Sequence, residues 1–189
     1  MGPGPGVACA VTLNSSLTPA QQRLYQDPFV IQRILRETRT IAIVGLSTDP
    51  QRASWFVASY LKKEGYRIIP VNPKADAILG EKAYPDLASI PGPVDLVDVF
   101  RPASECLSVA RQAVAIKAKA LWLQLKLVNI EAAELAARNG MSVVVDRCIK
   151  MEHGRYSGGL HWGGMNTEII SARKARLSPG APATHPTPP

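Results

Sequence analysis

Ile41-Ala42-Ile43-Val44-Gly45-Leu46-Ser47-Thr48-Asp49-Pro50 runs four apolar residues straight into a glycine turn. The apolar run suits a strand buried on both faces. A helix start is predicted directly after it, with Asp49 as cap and Pro50 at the first helical position. A strand that stops at glycine and re-enters as a helix aims free backbone N–H groups at one spot, and that spot favours a phosphate.

The pattern repeats outward from this unit. Asp27-Pro28 opens a helix through about Glu37, before the strand at 41–44. The helix after the turn spans roughly 50–64, with Trp55, Ala58 and Leu61 on one face and Gly65 at its end. A second strand, 67–71, closes on Asn72-Pro73. Further strands are predicted at 94–100, 120–125 and 142–146. Between them lie a helix capped by Ser104, carrying Leu107, Ala110, Ala113 and Val114, and one capped by Asn129 and stopped by Gly140. Glu131 and Glu134 sit near the positive end of the second. Alternation of strand and helix predicts an α/β fold: a Rossmann-like, doubly wound parallel sheet in three layers, with its ligand crevice at the carboxyl ends of the strands.

The flanks read differently. Residues 1–26 form an irregular segment, 27–174 the folded domain, and 175–189 a disordered Pro-rich tail. Residues 178–189 hold five of the sixteen prolines. Gly154 to Asn166, with His161 and Trp162, is expected to be a packed Gly-rich loop, and Thr167 to Lys174 a short helix.

Bulk properties narrow the function. The chain has 189 residues, 46% of them hydrophobic, and a formal charge of +7, which suits an anionic partner. No apolar run approaches the ~18 residues a membrane span needs. The N-terminus lacks the pattern of a secretory signal. Cys9, Cys106 and Cys148 are odd in number and far apart, giving neither a metal pattern nor a disulfide framework. A cytoplasmic location is the expectation.

A nicotinamide dinucleotide is one candidate ligand, as in an NAD(P)-type redox sensor or dehydrogenase-like protein. Two mismatches oppose it. The turn has one glycine where the G-x-G-x-x-G fingerprint wants three. The second strand ends in Asn72-Pro73 where an acid should hold the ribose.

Ile43-Val44-Gly45-Leu46-Ser47, Ile69-Pro70-Val71-Asn72-Pro73, Val97-Asp98-Val99-Phe100-Arg101, Leu121-Trp122-Leu123-Gln124 and Asp146-Arg147-Cys148 stand at successive strand ends. Their order and spacing over about 27–172 resemble the single-domain CoA-binding proteins, which are similar to the N-terminal domain of the succinyl-CoA synthetase α subunit. The resemblance implies coenzyme A or an acyl-CoA as ligand. It places Gly45, Leu46 and Ser47 at the pyrophosphate, with Arg52 adding a charge-assisted contact. Asn72 and Pro73 would border the adenosine half, and Lys74 could reach the 3′-phosphate. Phe100 and Arg101 match the strip beneath the ligand, and Gln124 stands at the mouth. Lys126 departs from the pattern, since many members have glycine near that position. Trp122 reads as core. Cys148 has two readings, a buried small hydrophobe and a thiol activated by Arg147; the first is the expectation. His153, beside Glu152, is expected at the surface rather than as half of an acid–base pair.

The related ligases need a phosphorylated histidine from a second domain and a partner subunit. This sequence carries no G-x-S-x-G elbow, P-loop lysine motif or metal cluster. A binding module without turnover of its own is therefore expected. Residues 1–40 are too short and too poor in basic residues for a DNA-reading winged helix, so no nucleic acid partner is expected. A homodimer is compatible with a Gly-rich segment that needs a surface to pack on.

Overall fold

The computed structural model describes residues 17–156. The Gly-rich stretch beyond Tyr156, the helix expected at 167–174 and the Pro-rich tail lie outside the described residues.

Five strands, β1 (Thr40–Val44), β2 (Arg67–Val71), β5 (Leu96–Val99), β6 (Ala120–Leu123) and β7 (Ser142–Val144), form one sheet in the order β2-β1-β5-β6-β7. Every neighbouring pair is parallel. The chain leaves β1 toward β2 on one side, then crosses to build β5, β6 and β7 on the other. The order therefore reverses between β1 and β5, which is where open α/β sheets hold ligands.

Two layers of helix cover the sheet. On one face Ile41, Ile43, Leu96, Trp122 and Val144 pack against α2 (Pro28–Glu37), α3 (Ala53–Lys63) and α6 (Ile149–Tyr156) through Ile31, Ala58, Leu61 and Ile149. On the other, Ala42, Val97, Val99, Leu121 and Val143 meet α4 (Cys106–Ala115) and α5 (Ile130–Arg138). These two helices turn alanines inward, at 110, 113, 132, 133 and 136, so their backbones approach the strands closely. The expected three-layer α/β fold is the observed one. Trp122 is fully buried, and its indole N–H donates to the Arg147 carbonyl at 2.7 Å.

Several local expectations are corrected. Residues 19–25 are not irregular: they form α1 (Pro19–Tyr25), opened by a capping box in which Thr18 and Gln21 bond reciprocally. The Tyr25 carbonyl accepts from Val145 N, so this segment covers the end of β7. Residues 77–82 form a small antiparallel hairpin, β3 (Ala77–Ile78) with β4 (Glu81–Lys82). Its turn uses Leu79 and Gly80 at positive φ, as tight hairpins require. The three later strands are shorter than predicted: β6 and β7 lose residues at their carboxyl ends, and β5 loses Val94 and Asp95 at its start as well as Phe100 at its end.

Helix starts moved too. Asp49 does not cap α3. Its carboxylate is taken by Gln51 N and its carbonyl by Arg52 N, which closes a turn over 49–52 and delays the helix to Ala53. Ser104 does not cap α4, since a 3-10 turn, Ala103–Glu105, intervenes. Asn129 does cap α5, accepting from Ala132 N at 2.8 Å.

The start of α6 was not foreseen. It turns Glu152 and His153 inward, where both are buried rather than exposed. Glu152 lies 3.6 Å from Arg147 and 3.3 Å from Arg155; burial pushes its carboxyl up and the two guanidiniums pull against that shift. His153 Nδ1 meets the Tyr60 hydroxyl at 2.9 Å, and burial pushes its imidazole pKa down. Cys148 is half-buried, not sealed in the core, whereas Cys106 is buried and its thiol is pushed up to about 11 by desolvation.

Candidate functional site

A cleft of about 960 Å³ opens at the carboxyl ends of β1, β2 and β5, at the point where strand order reverses. Its floor is the glycine turn. Gly45 has φ +85°, donates to the Val71 carbonyl at 3.0 Å, and lies under Arg101. A Cβ there would stand 2.7 Å from both the Phe100 carbonyl oxygen and Arg101 Cδ. Only glycine lets the three strand ends close together at this point.

The anion-binding groups are not arranged as the sequence suggested. Ser47 N donates to Ser54 Oγ at 3.1 Å, and Ser47 Oγ accepts from Asp49 N at 3.1 Å. The turn thus spends its Gly45 and Ser47 amides on the protein itself. The open donors lie further on. No side chain caps α3, and no acceptor among the described residues takes the N–H groups of Ala53 and Ser54, which line the cleft. An uncapped helix start facing a cleft attracts anions. Arg52 stands at its N-cap position, largely exposed and 3.7 Å from Asp49.

The other walls come from the segment after β2 and from α4. Asn72, Pro73 and Lys74 line the cleft, but the Asn72 amide is committed: its Nδ2 donates to the Leu46 carbonyl at 2.8 Å, and its Oδ1 accepts from Lys74 N at 2.9 Å. Arg101 is gripped by Glu105 through two 2.8 Å bonds, which hold its guanidinium protonated. Cationic Arg52, Lys74 and Arg101 share the lining with acidic Asp86 and Glu105.

Eight of the residues singled out in the sequence are brought together here: Gly45, Ser47, Arg52, Asn72, Pro73, Lys74, Phe100 and Arg101. Three do not line the cleft. The Leu46 side chain is fully buried in the core beside Ile43. Gln124 turns back onto the sheet, is 6% exposed, and donates to Asp98 Oδ1 at 2.7 Å. Lys126 stands in a turn beyond β6, with φ +64° and its N–H held by the Asp146 carboxylate.

That left-handed backbone explains why glycine suits the Lys126 position. We expect Lys126→Gly to raise stability by up to about 1 kcal/mol, as relief of strain outweighs the added chain entropy. Urea unfolding of the two proteins checks it, and a loss of stability would contradict it.

The sequence reading missed the α4 wall. Glu105, Ser108, Val109 and Gln112 all line the cleft. Their spacing of three, four and seven residues marks one helix face. That stripe was visible, but the apolar stripe on the opposite face drew the helix reading to the core.

A doubly wound α/β domain with an uncapped helix start and three cationic side chains at its switch point has the features that favour phosphate ligands. The model of the CoA binding domain family matches residues 39–154, and the chain belongs to that family. It is 42% identical over 123 residues to the uncharacterized protein YneT of Bacillus subtilis (strain 168), covering 65% of this chain and 91% of that protein. A solved structure of a hypothetical protein from Pyrococcus horikoshii OT3 is 36% identical, with a TM-score of 0.66 over 68% of this chain and 91% of that one. The α subunit of an ADP-forming acetate–CoA ligase II from Pyrococcus furiosus is 30% identical over 122 residues, 59% of this chain. The match spans only 27% of that subunit. Among the described residues, no helix is long and apolar enough to cross a membrane.

Proposed function

We propose that the cleft binds coenzyme A or an acyl-CoA, and that the chain by itself does not turn it over. The observation that carries this reading is the convergence of the open Ala53 and Ser54 amides with Arg52, Lys74 and Arg101 in one cleft of a CoA-binding family domain. Pyrophosphate suits the helix start and the Ser47 hydroxyl. Lys74, beside the turn after β2, suits the 3′-phosphate as a point charge.

The reading of binding without turnover draws on the same lining. The hydroxyls of Ser47, Ser54 and Ser108 have no histidine among the lining residues to act as base.

Parallel calorimetry with CoA, acetyl-CoA, dephospho-CoA and NAD tests the proposal. We expect CoA and acetyl-CoA to bind alike and NAD not at all. Dephospho-CoA should bind about tenfold more weakly, the loss of one charge-assisted contact. Binding of NAD with silence from CoA would sink the ligand assignment. ATP-dependent formation of acyl-CoA by the purified chain would sink the second half.

A further inference from the structure

The cleft proposed to hold an anion has two carboxylates in its lining, Asp86 and Glu105, and Glu105 is the one bonded to a cation of the same cleft. Glu105 sits at the start of α4, where it caps nothing: no side-chain bond reaches the backbone N–H groups of that helix. A negative charge at this place repels a phosphate unless it has another task.

Its geometry names the task. Glu105 takes Nε and Nη2 of Arg101 through two bonds of 2.8 Å, a fork-to-fork pair that fixes the plane of the guanidinium. The arginine stem passes directly over Gly45, where a Cβ would stand 2.7 Å from its Cδ. The fork to Glu105 thus holds the guanidinium beside the turn that floors the cleft. Of the five guanidinium donors two are used, which leaves three for an anion. An arginine free to rotate would lose side-chain entropy on meeting a phosphate; the fork to Glu105 lowers that cost.

We propose that Glu105 is a positioning residue for phosphate recognition: it holds the Arg101 guanidinium over the Gly45 turn so that the remaining donors meet the ligand's phosphates. The inference rests on the reading of the cleft as a CoA site and adds a role for a carboxylate that the ligand itself does not need to touch.

Charge alone predicts the opposite of positioning, which makes the test sharp. Glu105→Ala removes a negative charge from an anion cleft, so simple electrostatics predicts tighter binding. Positioning predicts binding at least about tenfold weaker, with Glu105→Gln, which keeps one acceptor, falling between. The pair is nearly half exposed on both sides, so its loss should leave the thermal midpoint almost unmoved. The Arg101→Ala and Glu105→Ala double variant should bind no more weakly than Arg101→Ala alone.

CoA and inorganic pyrophosphate are titrated in parallel into wild type and variants. Unchanged or tighter binding by folded Glu105→Ala overturns the inference, as does a double variant in which the two losses add. Wild type that binds pyrophosphate but not CoA overturns the ligand assignment alone, and the variants then decide positioning on pyrophosphate. Wild type that binds neither overturns both.

Discussion

Gly45→Val is expected to abolish ligand binding and to destabilise the fold. The added carbons would meet the Phe100 carbonyl and the Arg101 stem at 2.7 Å or less, and the backbone at φ +85° disfavours any side chain. The exposed Arg101 stem can swing aside, but the Phe100 carbonyl cannot yield cheaply. Phe100 N is bonded to the Val44 carbonyl at 2.8 Å, the last rung joining β1 to β5, and Gly45 N is bonded across to β2. Relief must therefore part the strand ends that shape the cleft. We expect a loss of at least about 3 kcal/mol, from overpacking together with a strained dihedral. Binding should weaken by more than about 100-fold, or ~2.8 kcal/mol, even at temperatures where the variant stays folded. Chemical denaturation and calorimetry on the same sample check both. A variant that melts like wild type and still binds would show that the turn tolerates a side chain, and would remove the packing argument for the glycine.

The second large effect lies beneath the cleft. Asp98, in the middle of the sheet, is wholly buried beside Trp122 in the neighbouring strand. Gln124 donates to one of its oxygens, and the other has no partner among the described residues. Burial pushes this carboxyl up to about 7, against the smaller downward pull of Gln124 and the Val99 amide. The folded protein thus keeps the proton at pH values where the unfolded chain, with a pKa near 3.8, has released it. The contribution of this group is full below about pH 4, falls as pH rises through 7, and then levels.

Asp98→Asn keeps the shape and removes the titration. We expect the wild type to lose on the order of 3–4 kcal/mol from this group between pH 4 and 8. The variant should lack that slope and be the more stable protein at pH 8. Urea unfolding at a series of pH values reads the difference. Parallel pH profiles for the two proteins would mean that Asp98 is ionised in place and that the polar pair, not the proton, is what the core accommodates.

The fold was legible because its signal is periodic. A run such as Ile41-Ala42-Ile43-Val44, ended by Gly45, has few readings other than a strand buried on both sides. Much of the cleft followed, since strand ends in an open parallel sheet converge on one region. What failed to show was which way a side chain turns once the strand stops. Gln124 stands at a strand end like Asn72, yet the buried Asp98 carboxyl draws its amide inward, and that demand comes from another strand 26 residues away. Asp49 and Pro50 carried a good cap signal, but the same carboxylate closes a local turn just as readily, and the turn won. The inward face of α6 was hidden for a similar reason. Glu152 and His153 look like surface residues until the fold brings Tyr60 to His153 from 93 residues away, and α6 turns Glu152 inward between its near neighbours Arg147 and Arg155.

The Asn72 amide spans two loops from different strands, with one hand on Leu46 and the other on Lys74. It works as a crossbeam. The frame of the opening is set while the chain folds, before any guest arrives. With the proposed coenzyme A as guest, ordering costs would fall on the ligand's own torsions and little on this corner of the host, which is how a preformed opening favours binding.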